Sequence, residues 1–299
     1  MTMNSSGPIS LGGTTAGQSI ELENGGPGTV QVSLNDTAVR NLAGVPSGAI
    51  IMPTNFYGKS NRVSLSFTIS SNTYTYDVFS VASASPSYIA GKSDITVNVS
   101  PGVLVGSTST GSYAMLVPSA FNSGDTITIV NNGFILGTGG NGGTGGSGAG
   151  GASAGGAGGN ALYVNIPTTV TNNGTVGSGG GGGGGGSGGG PPSRGQVYGG
   201  GGGGGGAGYN GGSGGAGGAG AGPTGGSNGG LPGGAGTPTT GGGGGGVQPN
   251  STGAPGGPGG GLGAAGTPKG ASGGATGKYI TGNAFVTWPA TGTRLGGVA

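Results

Sequence analysis

The sequence predicts a mainly β protein with much non-regular structure, in which a small N-terminal β domain precedes platform strands that carry a packed bundle of polyglycine II helices. Three observations lead to this prediction. Hydrophobic and polar residues alternate in short stretches between residues 61 and 130, which is typical of β-strands. A strand–bend–strand unit occurs twice. Glycine then dominates the second half, because 15 of the 90 glycines precede residue 131 and the other 75 follow it.

Residues 1–60 are expected to form an attachment segment rather than a self-sufficient domain. Residues 33–44 are expected to form a short helix, which Gly44 ends. Such a short helix is marginal by itself and needs a partner surface. The other expectations are an N-cap at Asn35 or Asp36 and short strands at Ile9–Leu11 and Ile20–Leu22.

Residues 61–130 are expected to form a small β-sandwich. Apolar residues at Val63, Leu65, Phe67 and Ile69 alternate with serine and threonine, which predicts a half-buried antiparallel strand. Several short strands at this spacing are typical of a sandwich. The predicted strands cover residues 63–69, 74–78, 95–99, 113–117 and 126–130.

An internal repeat begins where the glycine-rich half starts. The Asn-Asn-Gly bend at residues 131–133 aligns with the same bend at residues 172–174. Asn and Gly tolerate positive φ, so the bend is chemically sensible. We expect the strands of the two units to stack as in a solenoid, and residues 278–288 to return to the same base and close it. The alignment superposes Ile129 on Val170 and Ile135 on Val176.

The glycine-rich half, residues 131–299, repeats with a period of three. Thr138, Asn141, Thr144 and Ser147 are separated by two glycines each, a spacing that fits neither an α-helix nor a strand. It fits a polyproline II-type helix with about three residues per turn. Because that helix has no internal hydrogen bonds, several must pack side by side to satisfy their backbone groups, with the non-glycine residues on an outer face.

Composition alone favours a different structure for this half, a flexible or disordered glycine–serine linker. Ordering glycine costs more backbone entropy than ordering any other residue. The constant spacing favours ordered packing instead. A collagen triple helix is disfavoured, because Gly-X-Y is not maintained and the prolines cluster outside the glycine runs.

The composition also limits the chemistry. The chain has no Cys and no His, which excludes disulfides, the usual zinc sites and His-based acid–base catalysis. We expect no enzymatic activity, no cofactor and no metal. A net charge of +2 is too small to predict nucleic-acid binding, and no apolar run is long enough to predict membrane insertion. The last acidic residue is Asp125, and every charged residue beyond it is basic.

Candidate binding residues lie where the glycine runs are interrupted. If the helices run out and back, these interruptions are turns, and turns on a rigid scaffold are the usual place for recognition. Aromatic and arginine side chains supply much of the binding energy at such places. In an alternative interpretation, Tyr198 and Tyr209 cap the glycine lattice without touching a ligand. The predicted binding residues are Arg194, Gln196, Tyr198, Tyr209, Asn210, Leu231, Gln248 and Asn250.

Both ends of the chain resemble tailed-phage virion proteins. The resemblance lies in Asn-Ala-Phe-Val-Thr-Trp-Pro-Ala-Thr-Gly-Thr-Arg-Leu-Gly-Gly at residues 283–297, and in residues 6–12, 34–44 and 55–60. The glycine-rich half, with its duplicated Asn-Asn-Gly unit, is similar to the distal long-tail-fibre adhesins of T-even-like phages.

This resemblance implies an attachment domain that caps a trimeric fibre and a polyglycine II sandwich whose distal loops contact a receptor. It implies a virion protein of the tail or tail fibre, made in the cytoplasm of the bacterial host. Other tail or fibre proteins are expected to hold residues 1–130. The eight predicted binding residues are expected to contact a receptor, protein or polysaccharide, on the bacterial outer surface. The domains expected are residues 1–60, 61–130 and 131–299.

Two other functions are compatible with the composition. A structural tail or fibre component would use the glycine block as a stiff spacer or plug and would touch no receptor. An ice-binding protein would need a flat, regular face of threonine or alanine, which the face from Thr138 to Ser147 is too short and too mixed to supply.

Overall fold

The computed structural model describes residues 2–148, 150–190, 197–220, 229–249 and 251–299, and it divides into two compact units. Unit 1 comprises residues 1–65, 85–94 and 122–125, and unit 2 comprises residues 66–84, 95–121 and 126–299. The sequence stretch 61–130, predicted as one domain, is therefore divided between the two units.

Unit 1 contains two short helices, α1 (Ile20–Glu23) and α2 (Thr37–Ala43). The predicted end of α2 is confirmed, because Gly44 has a left-handed φ of 70° and its N–H donates to carbonyls of the last turn. Asp36 is the N-cap residue, as one of the two predictions had it. The apolar core of this unit consists of Met3, Ile20, Val39, Leu42, Ala43 and Phe56.

The two short strands predicted in this region are wrong. Ile20–Leu22 is helical because the Ser19 hydroxyl accepts a hydrogen bond from the Leu22 N–H at 3.2 Å and caps α1. Residues Ile9–Leu11 make only one isolated bridge among the described residues, between Ser10 and Ser19.

The β-strands form a solenoid of three sheets with five strands each, and each coil of the chain adds one strand to every sheet. The strands are β1 (Val63–Ile69), β2 (Thr73–Tyr74), β3 (Tyr76–Asp77), β4 (Ser93–Val99), β5 (Leu104–Gly106), β6 (Tyr113–Val117), β7 (Thr126–Asn131), β8 (Phe134–Leu136), β9 (Asn160–Val164), β10 (Thr168–Asn172), β11 (Thr175–Gly177), β12 (Lys278–Thr281), β13 (Val286–Ala290), β14 (Thr293–Leu295) and β15 (Gly297–Val298). The first sheet has the order β1-β4-β7-β10-β13, the second β14-β11-β8-β5-β2 and the third β15-β12-β9-β6-β3. Helix α3 covers Val78–Ser83, and 3₁₀ turns cover Thr54–Phe56 and Asn283–Phe285.

The register of the solenoid is the one that the internal repeat predicts. Val170 pairs with Ile129 between β10 and β7, and Val176 pairs with Ile135 between β11 and β8. The returning strand β12 pairs with β9, so the last unit closes on the same base as predicted. The stacked side chains form a continuous apolar interior that includes Ile95, Met115, Ile129, Leu162, Val170 and Ile280.

The small sandwich predicted for residues 61–130 is not formed. Strands β2 and β3 pair in parallel with β5 and β6, and these pair in parallel with β8 and β9 of the next coil. The alternation of polar and apolar residues is the same in parallel and antiparallel strands, so it does not distinguish a coil from a hairpin. The single strand predicted over residues 74–78 is broken at Thr75, which has a φ of 49°, into β2 and β3 of two different sheets. It ends at Asp77, whose side chain accepts a hydrogen bond from the Ser80 N–H and starts α3.

The glycine-rich segments leave the solenoid at one corner, between the strands of the second and third sheets. In the first and last coils this corner is a single residue, Thr75 or Gly296, and in the second coil it is the loop 107–112. The third and fourth coils expand the same corner into residues 137–159 and 178–277. The glycine-rich half is therefore two insertions into successive coils of one solenoid.

Within these insertions the chain runs back and forth in extended segments that hydrogen-bond to one another at every third residue. The N–H groups of Gly140, Gly143 and Gly146 donate to the carbonyls of Gly180, Gly183 and Gly186, each at 2.9 Å. The described segments cover residues 137–148, 150–159, 178–190, 197–208, 210–220, 229–237, 240–249, 251–262, 264–269 and 271–277.

Two of these segments are central, residues 178–190 and 199–208. Each hydrogen-bonds to six surrounding segments, and three consecutive N–H groups of the first one, Gly179 to Gly181, donate to three different neighbours. The glycines Gly179–Gly186 and Gly199–Gly206 are buried, and a Cβ added at any of them would overlap neighbouring backbone atoms. In both central segments the buried run is therefore uninterrupted glycine, whereas most segments with an outer face carry other residues on that face.

Candidate functional site

The glycine-rich segments have two ends, one at the solenoid and one away from it. At the solenoid end, Gly159 donates to the Thr138 carbonyl and Gly277 donates to that of Gly179. At the other end, which we call the far end, Gly200 donates to Gly146 and Gly218 donates to Gly200. Because successive segments reverse direction, the turns between them alternate between the two ends.

The far end is held together by backbone contacts between neighbouring turns. The N–H groups of Gly189 and Tyr198 each donate to the other residue's carbonyl, at 3.0 and 2.9 Å, where the chain leaves one central segment and enters the other. Gly148, with a left-handed φ of 52°, lies against the Val197 side chain, which a Cβ at this glycine would overlap. These contacts give the far end a fixed arrangement from which side chains project.

The remaining described turns of the far end carry polar side chains. The Ser251 N–H donates to the Gln248 carbonyl at 3.0 Å, which closes a tight turn, and Gln248 is half-buried. Lys269 is exposed, and its N–H donates to the Ala271 carbonyl across the next turn. Since the sequence has no carboxylate beyond Asp125, no acidic side chain of this half offsets the positive charge of Lys269.

The structure distributes the eight predicted binding residues between the two ends. Tyr198 and Gln248 lie at the far end, and the exposed Leu231 lies close to it, since its N–H donates to Gly246. Tyr209 and Asn210 lie at the solenoid end, where their backbones bond to Gly137 and Gly139. Arg194, Gln196 and Asn250 lie outside the described residues.

Tyr209 and Asn210 therefore lie apart from the other described candidates, and their role in binding stays a prediction. An interrupted glycine run predicts a turn, but it does not state at which end the turn lies. Tyr209 packs on the solenoid, since its ring occupies the space that a side chain at Gly106 would need. Lys269 lies at the far end, but it was missed as a binding candidate. The signal available for it was its position between two short stretches of small residues, 264–268 and 270–277.

We expect Tyr209→Ala to lower the free energy of unfolding by about 1–2 kcal/mol, because a half-buried ring loses less than a core aromatic residue does. Thermal unfolding followed by calorimetry measures this change. Tyr209→Phe is the matched control and keeps the ring, so its Tm should equal that of the parent. Equal Tm values for the parent and Tyr209→Ala would show that the ring does not hold the turn on the solenoid.

Within the described residues, no group of three or more Asp, Glu, His or Cys side chains is placed to hold a metal ion. Over the same ranges, no helix has the length and apolar character needed to cross a membrane. The chemistry that the described residues of the far end offer is hydrogen bonding, aromatic contact and a lysine cation.

Comparisons with known proteins identify the class to which this architecture is similar. The sequence model of the phage tail fibre adhesin Gp38 matches residues 64–195. That match covers the solenoid strands from β1, less its first residue, to β11, together with the whole first glycine-rich insertion and the start of the second. The predicted resemblance to the phage tail-fibre adhesins is therefore confirmed.

A solved structure shows the same fold over nearly the whole chain. It is a chain of the gp37–gp38 adhesin tip complex of the bacteriophage S16 long tail fibre, with a TM-score of 0.51 and 20% sequence identity. The similarity covers 97% of this chain and 100% of that one. A search of curated proteins gives no match.

Proposed function

We propose that this protein is a non-enzymatic adhesin at the tip of a phage tail fibre, and that it binds a bacterial surface receptor with the far end of its glycine-rich segments. The observation that carries the proposal is the convergence of several turns at that end on one hydrogen-bonded scaffold. Turns on a rigid scaffold are the usual site of recognition.

We propose further that the segments are polyglycine II helices. Their hydrogen bonds recur at every third residue, and the left-handed glycines in the described segments lie only at segment ends, at Gly148 and Gly190. A three-fold helix directs successive backbone groups toward different neighbours, which accounts for six partners around each central segment. The cost of ordering the glycines is met at folding, so the turns lose little further entropy on binding.

The attachment to the virion is assigned to the N-terminal part of the chain. The similar S16 protein is part of a gp37–gp38 complex, which supports association of this chain with other fibre proteins through residues 1–130. The receptor is a protein or polysaccharide of the bacterial outer surface. The cation of Lys269 and the absence of carboxylates beyond Asp125 favour an anionic surface. Synthesis is assigned to the cytoplasm of the bacterial host.

The test is binding of the fluorescently labelled full chain to cells of the phage's host, together with competition against phage adsorption. A far-end variant replaces Tyr198, Gln248 and Lys269 by alanine, all of them described residues of this end. We expect this variant to bind cells at least about tenfold less and to lose competition, because such anchors contribute a kcal/mol or more each.

The control variant is Thr239→Ala combined with Lys278→Ala, at the solenoid end, which also removes one positive charge. It should bind as the parent does. If the far-end variant keeps the parental Tm and still coats cells and blocks adsorption, the far end is not the receptor site, and a spacer function for the glycine block becomes the better explanation.

A further inference from the structure

A second candidate site lies at the solenoid end, where a cavity of about 330 Å³ opens between the loop 107–112 and two glycine-rich segments. Three residues of the loop line it, together with residues at the start of the segments 137–148 and 210–220. The side chains that concern binding are those of Thr108, Ser109, Thr110, Asn141 and Asn210.

The cavity follows from the architecture of the corner. The second coil turns this corner with the short loop 107–112, whereas the third coil leaves the solenoid there with the segment 137–148. The step between a short loop and a long insertion leaves a recess beside the solenoid. Its volume is within the range that small-molecule sites occupy, about 300–1,000 Å³, although at the lower end.

The lining of the cavity is polar and uncharged. It consists of hydroxyl and amide side chains and of glycine backbone, and none of its lining residues is acidic, basic or aromatic. Hydroxyl groups donate and accept hydrogen bonds, and an amide offers one acceptor and two donor hydrogens. A ligand that suits this lining carries many neutral donors and acceptors at close spacing.

Several of these groups are free to bind. Over the described residues, the side chains of Thr108, Thr110 and Asn210 make no hydrogen bond to the protein. The Asn141 side chain uses its oxygen to accept from the Ser213 N–H at 3.0 Å, which leaves its amide hydrogens for a ligand.

The walls that carry these groups are fixed in place. The Asn210 carbonyl accepts hydrogen bonds from the Gly139 N–H at 3.0 Å and from the Thr138 hydroxyl at 2.8 Å. The Thr138 N–H in turn donates to the buried Ser107 hydroxyl at 3.1 Å, which ties the segment to the loop. Because the walls are ordered before a ligand arrives, little conformational entropy is lost on binding.

We propose that this cavity binds a neutral saccharide unit of the bacterial cell surface. It is separate from the far end, so the adsorbed protein would hold a surface polysaccharide through a site that does not depend on the receptor contact. Burying an ion here would be costly because no opposite charge lies among the lining residues, and an apolar ligand would leave the hydroxyls and amides unpaired. Since the lining lacks an aromatic ring on which a sugar could stack, we expect a Kd in the millimolar range for one monosaccharide, about −4 kcal/mol.

The experiment is a titration of the ¹⁵N-labelled full chain with glucose, galactose and N-acetylglucosamine, followed by amide chemical shifts. At least one sugar should give saturable shifts at residues 108–111 and 210–211. Glucuronate should bind more weakly, because its carboxylate finds no cation in the cavity. Oligosaccharides released from host lipopolysaccharide and from host capsule, added separately, identify which polysaccharide supplies the saccharide.

The matched variants are Thr108→Val combined with Asn210→Ala, and Thr239→Val as a control outside the cavity. The first should weaken saccharide binding at least about tenfold with an unchanged Tm, and the control should bind as the parent does. The proposal is overturned if no sugar gives saturable shifts at these amides up to about 50 mM, or if the double variant binds as well as the parent. Neither variant alters a far-end residue, so this result is independent of the receptor test.

Discussion

Gly183→Ala should lower the Tm by about 10 °C. Gly183 is buried in a central segment, where it donates to the Gly204 carbonyl and accepts from the Gly143 N–H. A Cβ at this position would overlap the backbone carbonyl of Gly257, and no side chain is present there to move aside. Overpacking usually lowers the free energy of unfolding by about 1–3 kcal/mol. Because the overlap here is with backbone atoms, we expect a loss of about 3 kcal/mol or more. At about 2–4 °C per kcal/mol, calorimetry or circular dichroism resolves the change easily.

Gly243→Ala is the control within the same kind of sequence. Gly243 also lies in an uninterrupted glycine run, but it is exposed and nothing lies within 4 Å of a Cβ added to it. Its Tm should stay equal to the parent's or rise slightly, because alanine restricts the unfolded chain by about 0.4–1 kcal/mol. Equal Tm values for the two variants would contradict close packing around the central segments and would favour a loose linker.

The strands of the solenoid were largely predictable, since each has to bury alternate side chains. Residues 113–117 were predicted as a strand and form β6, and residues 95–99 fall within β4. The register was predictable as well, because two copies of one bend place equivalent side chains one above the other. Local alternation does not reveal the partner of a strand, however, and this is why a sandwich was predicted where coils of a solenoid occur.

The glycine-rich half could be read from its spacing only in part. Several segments with an outer face carry a non-glycine residue at every third position, and Asn141, Thr144 and Ser147 are indeed exposed. The order of the segments in the packing is set by long-range hydrogen bonds, for which sequence spacing gives no signal. The run Gly241–Gly246 shows the limit, because it resembles the central runs in sequence yet exposes Gly243 and Gly244.

The candidate sites were predictable as turns but not as surfaces. A turn at Tyr209 follows from the interrupted glycine run. The end at which this turn lies depends on whether the number of earlier chain reversals in the insertion is odd or even. The cavity beside the loop 107–112 was not predictable at all. It joins Thr108, Asn141 and Asn210, which are far apart in the chain and share no local pattern.

Asn172→Ala should lower the free energy of unfolding by about 3 kcal/mol and loosen the last coil of the solenoid. Asn172 is fully buried, and its amide nitrogen donates to the carbonyls of Thr291 and Thr293, at 2.8 and 3.2 Å. Its side-chain oxygen accepts from the amide of Asn131 at 2.8 Å, so the two bends of the repeat are linked through the interior. Truncation removes these three hydrogen bonds, which at about 0.5–1.5 kcal/mol each account for a loss of about 3 kcal/mol.

Hydrogen exchange separates this local effect from general destabilisation. The Thr293 N–H donates to the Gly174 carbonyl next to the mutated bend, so its exchange should accelerate more than that of Val170 in the solenoid interior. Asn173→Ala is the matched control, since this neighbouring side chain makes its hydrogen bond to Asn132 at the surface, and its cost should stay below about 0.5 kcal/mol. If both variants unfold at the same temperature, the asparagine ladder does not stabilise the solenoid, and the apolar interior alone must hold the last coil. If only Asn172→Ala destabilises, the first asparagine of the Asn-Asn-Gly repeat stabilises the interior of the solenoid, and the second makes only a surface contact.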